Sequence, residues 1–176
     1  SQSWKKAMRD MFRDIFPAED LGLRTKRVVK MVADEIQRLG CAIDPEEAAQ
    51  KILATAGLKI KSAEKVTDAL FFMSTAQAQA LAKLAHEDPE TIKNKPSKDA
   101  KKSAHNALKQ SPAIDVALFG RMVADDPTLN TDACAQVAHS ISTHQVSNEY
   151  DYFTAVDDLS PEDNAGAGHI GTVEFN

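Results

Sequence analysis

The stretch from His139 to Asn176 leaves this chain the fewest structural options. A β-branched, alternating run, Ser140-Ile141-Ser142-Thr143-His144-Gln145-Val146, gives way to a long acidic segment carrying Tyr150, Tyr152 and Phe153. Gly166, Gly168 and Gly171 then lead into Thr172-Val173-Glu174-Phe175, which again alternates as a strand does. A strand, an excursion bearing aromatics and a returning strand describe an arm that leaves a sheet and comes back. The pattern is still running at Asn176, and the chain opens on Ser1 at a helix start. Both ends therefore read as cuts in a longer parent protein.

Ahead of the arm the periodicity is mostly helical. Trp4, Ala7, Met8, Met11, Phe12, Ile15 and Phe16 follow the i, i+3, i+4, i+7 rule and predict one apolar stripe. Lys5, Arg9 and Arg13, four apart, form a basic ridge on the other side. Ser1 and Ser3 are capping residues, and Pro17 stops the helix. A second helix is predicted over Thr25–Leu39, burying Val28, Val29, Val32 and Ile36 and ending at Gly40. Asp44 caps a third, with Pro45 at its first position, Glu46 and Glu47 at the positive end of its dipole and Gly57 closing it.

Leu70-Phe71-Phe72-Met73 reads as a strand or a buried connector. Ser74 and Gln77 make a capping box that opens a helix to about His86. Residues 90–98 read as a linker, and Ser97 opens a lysine- and alanine-rich helix. At Ile114 the period changes: Ile114, Val116 and Leu118 alternate with Asp115, Ala117 and Phe119, predicting a strand that ends near Gly120-Arg121-Met122. The first half of Ala133–Val146 suits helix or strand, while Ser140–Val146 favours a strand. The expected class is α+β, predominantly helical, without internal repeats.

The 176 residues, 43% hydrophobic, suffice for the core of one domain or one and a half. No apolar run approaches the ~18 residues of a membrane span, and no signal peptide opens the chain. Cys41 and Cys134 match no metal spacing, and two isolated thiols suit a reducing cytoplasm. The net charge of −5 argues against a generic nucleic-acid binder, but it is unevenly spread. Residues 1–30 carry +4, 31–92 carry −4, 93–110 carry +5 and 111–176 carry −10. Such asymmetry allows a local basic contact surface, while by itself it favours the plainer reading of solvated helix faces.

Gly166-Ala167-Gly168-His169-Ile170-Gly171 matches G-x-G-x-x-G in letter only. A dinucleotide loop follows a strand and opens a helix, whereas here an acidic loop precedes and a β-like run follows. His139, His144 and His169 with Asp157 and Asp158 invite a metal reading. Yet His139 and His144, five apart, fall on opposite faces of a strand, and no zinc motif is present. No nucleophile elbow supports acyl transfer. The start of the first helix is a better candidate: free backbone N–H groups beside Ser1, Gln2 and Ser3 suit an anion, with Lys5 and Arg9 one and two turns on, although taken alone the same residues favour an ordinary capped helix with a solvated basic face. The aromatics of the arm suit packing, or stacking as a wedge, because the acidity around them repels phosphate.

Five segments carry a resemblance to a known family. Ser1-Gln2-Ser3-Trp4-Lys5-Lys6-Ala7-Met8-Arg9 resembles the S-Q-S-x-K-R-A-x-R opening of the first palm helix in CasC, the backbone subunit of the type I-E CRISPR Cascade complex. Asp115-Val116-Ala117-Leu118-Phe119-Gly120-Arg121-Met122 resembles its D-[IV]-A-L-x-G-R-M strand. Ala138-His139-Ser140-Ile141-Ser142-Thr143-His144 and Asp151-Tyr152-Phe153-Thr154-Ala155-Val156-Asp157-Asp158-Leu159 resemble its A-H-x-[IF]-[ST]-T-H and D-x-F-T-A-V-D-D-L segments. Gly171-Thr172-Val173-Glu174-Phe175 resembles the strand returning from the thumb. The match spans the chain, the helical middle by position rather than by motif.

The resemblance implies helical fingers inserted in an RRM-like palm, here incomplete, with a β-hairpin thumb. The implied organisation is a first palm helix at 1–16, fingers at 17–110, palm strands at 111–146, the thumb hairpin at 147–170 and the start of a returning palm strand at 171–176. It further implies a non-catalytic, cytoplasmic protein, without cofactor or metal, whose copies form a filament along a CRISPR guide RNA. Other Cascade subunits and the target DNA strand, paired through the guide, are the remaining implied partners, with no membrane. Carried over by motif, Gln2, Lys5 and Arg9 hold guide phosphates, while Met122, Phe153 and Thr154 lie where the thumb kinks the guide. Lys6 stands where the family usually has Arg, keeping the charge and losing the bidentate fork. Two other readings stay open: a metal-dependent ribonuclease using Asp157, Asp158 and the histidines, and a purely structural helical interaction module.

Overall fold

The computed structural model describes residues 2–40, 43–89, 92, 94–123, 125–147, 149–154, 156–159 and 170–175; for 2, 149, 151–154 and 170–175 it describes the backbone alone. The elements in order are α1 (Gln2–Ile15), β1 (Gly22–Thr25), α2 (Val28–Arg38), α3 (Pro45–Thr55), β2 (Ile60–Lys61), β3 (Val66–Thr67), β4 (Phe71–Ser74), α4 (Thr75–Glu87), α5 (Lys98–Lys109), α6 (Ile114–Phe119), β5 (Glu149–Thr154) and β6 (Ile170–Phe175). The strands form three separate antiparallel pairs, β1–β4, β2–β3 and β5–β6. The class is mixed α+β, as expected, with helix dominating. Among the described residues no helix is long and apolar enough to cross a membrane.

The core is one apolar cluster built from the inward faces of α2, α3, α4 and α5. Val28, Val32 and Ile36 meet Ile52 and Leu53, Leu81 and Ala82, and Leu108, and Met73 and Leu129 are fully buried in the same cluster. Local chemistry sets the ends of these helices. The Asp44 carboxylate accepts from Glu47 N at 2.7 Å, and Gly57 closes α3 at φ +106°, where a side chain would be strained. The Ser74 hydroxyl accepts from Gln77 N while Ser74 N donates to Gln77 Oε1, both at 3.1 Å, completing the capping box. Ser97 accepts from Ala100 N at 3.0 Å at the start of α5.

Several expectations are corrected. Helix α2 begins at Val28, not Thr25, because Gly22–Thr25 pairs with Phe71–Ser74 as β1. That pairing also resolves Phe71–Met73 as a strand. Ile114–Phe119, expected as a strand, is helix α6. Six alternating residues fit either state, and Ala117 N to Ala113 O and Gly120 N to Val116 O, both 2.9 Å, close helical turns here. Gly120, at φ +79°, then ends it.

Ser140–Val146 is exposed and irregular, not a strand. Its β-branched pattern finds no ladder partner among the described residues, and a strand is only as stable as its partner. Of the palm strands expected over 111–146, the described residues hold a single bridge, Arg121 to Thr131. The returning strand pairs instead with Glu149–Thr154, in the register Phe153 to Gly171 and Thr154 to Ile170. Tyr150, Tyr152 and Phe153 therefore lie on a strand of the arm and not in its loop. Ser1, Cys41 and most of the G-x-G-x-x-G segment lie outside the described residues. Within the expected linker, Ile92 is buried in the core cluster and so ties it down.

Candidate nucleic-acid interface

The basic ridge of α1 is not uniform. Lys5 is half-buried and makes no ion pair among the described residues. Lys6 pairs with Asp10 at 2.6 Å on the surface. Arg9, 16% exposed, turns inward: Nε donates to Asp115 Oδ2 and Nη2 to Asp158 Oδ2, both at 3.1 Å. Its guanidinium also lies 4.4 Å from the centre of the Phe72 ring. One turn on, Arg13 reaches Asp158 Oδ1 at 3.2 Å while staying largely in solvent. The apolar stripe of α1 divides in the same way. Phe12 stacks on Phe119 at 6.0 Å, whereas Trp4, Met11 and Ile15 remain more than half exposed. The Trp4 indole N–H donates to Ser140 Oγ at 2.7 Å.

The two carboxylates around Arg9 fasten distant segments together. Asp115 Oδ1 accepts from Gly22 N at 2.9 Å and from Val116 N at 3.1 Å, joining α6 to β1. Asp158 Oδ2 accepts from Arg24 N at 2.8 Å, and Asp158 N donates to Arg24 O at 2.9 Å. Asp157 Oδ2 accepts from Lys26 N at 2.8 Å and Oδ1 from Leu159 N at 3.0 Å. Burial pushes the Asp157 carboxyl up, but the Lys26, Thr25 and Leu159 donors and the Arg27 charge outweigh it, leaving the group below its ordinary range. Burial and the neighbouring Arg9 charge lower Arg24, with Asp158 opposing them. The base of the β5–β6 arm is thus held on β1 and α1.

This fastening is what the sequence reading missed when it considered Asp157 and Asp158 only as metal ligands. All four of their carboxylate oxygens accept protein N–H donors. His139 and His144 are exposed, and His169 lies outside the described residues. No group of three His, Cys, Asp or Glu suited to a metal occurs among the described residues.

Met122 is 83% exposed although its neighbours Arg121 and Val123 are buried. Arg121 was not singled out from the sequence, since nothing local marks an arginine that is buried among backbone carbonyls. Phe153 and Thr154 are placed by backbone and register on β5, and Gln2 by backbone at the start of α1. Tyr150, on the same strand, is 65% exposed. The structure thus groups Gln2, Lys5 and Arg9 on one helix and links that helix, through Asp158, to the segment that follows Phe153 and Thr154.

A family model described as "CT1975-like protein" matches residues 1–176. A solved structure, "CRISPR RNA-guided surveillance complex, pre-nicking", contains a chain 29% identical to this one, with a TM-score of 0.63 over 99% of this chain and 51% of that chain. A chain in a second, "CRISPR RNA-guided surveillance complex", is 23% identical, with a TM-score of 0.58 over 99% and 50% respectively, and shares the fold. The chain spans about half the length of these solved chains. No curated protein matches it.

Proposed function

The chain belongs to the CT1975-like protein family, and from that membership we propose that it is a non-catalytic, guide-RNA-binding subunit of a CRISPR surveillance complex, acting in the cytoplasm. The likeness of nearly the whole chain to a subunit of a CRISPR RNA-guided surveillance complex is the observation that carries this reading. It agrees with the five CasC-like motifs.

In this reading copies of the protein line up along the guide. The start of α1 with Gln2, Lys5 and Arg9 takes the phosphates. Lys5 supplies an unpaired charge, and Arg9 shares its guanidinium with Asp115 and Asp158. Met122 and the β5 residues Phe153 and Thr154 bear on the guide where it kinks, Met122 as an apolar wedge against a displaced base. Other Cascade-type subunits complete the assembly, and the target DNA strand is recognised by pairing with the guide, not by side chains.

The test is fluorescence anisotropy of single-stranded RNA with the full-length polypeptide across a salt series, magnesium present, the RNA run on a gel afterwards. Tight, sequence-tolerant binding to intact RNA that weakens with salt is expected. Lys5→Ala should weaken all RNAs alike and reduce the log–log salt slope by about 0.7, the increment for one phosphate contact on a single strand. An unchanged slope would remove Lys5 from the phosphate track. Absence of binding would favour the structural module, and shortened RNA would overturn the non-catalytic reading.

A further inference from the structure

Met122 sits on a short loop whose geometry is set from inside. Arg121 and Thr131 exchange both of their backbone bonds at 2.9 Å, so residues 121 to 131 leave and return at one point. Arg121 is 6% exposed, Met122 83% and Val123 8%. Extended backbone sends successive side chains to opposite sides, so burying both neighbours drives Met122 outward. Val123 is held as well, its N–H donating to Asn130 Oδ1 at 2.7 Å. On the other side Gly120 closes the space: a Cβ there would lie 2.9 Å from Thr131 O.

What buries Arg121 is a set of carbonyls, with no carboxylate partner among the described residues. Nε and Nη2 donate to Leu129 O at 3.2 and 3.0 Å, and Nη2 also donates to Leu108 O at 2.8 Å. Nη1 donates to Phe72 O at 3.0 Å and to Gln77 Oε1 at 3.4 Å. The guanidinium lies 4.7 Å from the centre of the Phe71 ring. Its acceptors belong to β4, α4, α5 and the 3-10 turn Pro127–Leu129. Leu108 O lies at the negative end of the α5 dipole, a favourable place for a cation. Only a planar fork with five donors reaches all of these at once, which a lysine cannot do.

We propose that Arg121 is a positioning residue for the guide contact, locking the 121–131 loop onto the helical core so that Met122 is held outward in one direction. This rests on the reading that Met122 wedges against a displaced guide base. Without the fork, nothing equivalent draws residue 121 inward, and Met122 keeps its side chain but loses its fixed aim.

The experiment uses the full-length polypeptide assembled on a guide RNA carrying 2-aminopurine at the displaced position, whose emission rises when the base is unstacked. Met122→Ala, Arg121→Lys and the double variant are compared with wild type. Met122→Ala is expected to lose the enhanced emission. Arg121→Lys should lose it too while keeping the RNA affinity conferred by α1, and the double variant should lose no more than either single one. Retained emission in Arg121→Lys beside a loss in Met122→Ala overturns the proposal, as do additive losses in the double variant. Unchanged emission in Met122→Ala instead removes the wedge reading, and the positioning role falls with it. Should a melting curve show Arg121→Lys unfolded, Arg121→Gln, which is uncharged and keeps an amide donor in place of the five-donor fork, takes its place. Loss of emission is again expected, and retained emission overturns the proposal.

Discussion

Lys5 and Arg9 share a ridge of α1, yet their surroundings assign them different parts. Arg9 is engaged by carboxylates 106 and 149 positions away in sequence, Asp115 and Asp158. These contacts are mostly shielded from water, so they count for more than surface pairs such as Lys6 with Asp10. Asp158→Asn leaves Arg9 short of a counter-charge and weakens the hold on Arg24 N. It should cost about 3 kcal/mol in urea unfolding, toward the lower end for breaking a buried pair. Lys6→Ala should stay within about 0.5 kcal/mol of wild type. Equal effects of the two substitutions would show that the Asp158 fastening contributes little. The basic spacing of the ridge was legible in the sequence. Which of its members turns inward was not, because that is decided by residues that arrive from the far end of the chain.

At the scale of elements, what is local was readable and what needs a partner was not. Asp44, Ser74, Gln77, Ser97 and Gly57 act within a few residues of themselves, and each appears where the sequence placed it. The period-2 patterns at Ile114–Phe119 and Ser140–Val146 ask for neighbouring strands, and the first became a helix while the second stayed irregular. Gln77 adds something its capping motif did not announce. Its Nε2 also donates to Leu108 O at 2.8 Å and Gln110 O at 3.1 Å, so one buried side chain serves the start of α4 and the end of α5. Gln77→Ala should therefore cost about 3 kcal/mol, since it removes both bonds to the end of α5 and leaves the buried Ser74 N without its acceptor as well as opening a cap. Ser97→Ala, at an exposed cap, should cost about 1 kcal/mol in the same denaturation experiment. Similar values for the two would mean that the second set of bonds adds nothing.

In the whole molecule, a helical core carries two outlying pieces, the Met122 loop and the β5–β6 arm, the first attached by one charged side chain and the second by two. The arm is its own two-stranded sheet, and its described attachment runs through Asp157 and Asp158. Asp157, whose folded pKa is lowered, contributes stability that is fully present above the ordinary carboxylate value near 4 and is lost as pH falls through the lower folded value. Hydrogen exchange followed down in pH, corrected for intrinsic rates, should thus show the amides of Lys26 and Leu159 losing protection before those in the middle of α2 and α4. Simultaneous loss would place the arm's attachment and the core in one cooperative unit. Arg121 answers acid differently. Burial lowers its pKa to about 10, which still leaves it cationic at neutral pH and below, and its acceptors are carbonyl oxygens that have no proton to gain in this range. The Arg121 fork itself is in that sense acid-fast: a drop in pH that loosens the carboxylate-held arm meets no proton acceptor in it, and a titrating group of the loop stands aside at Asp126, which caps the Pro127–Leu129 turn and is held below its ordinary range by Thr128.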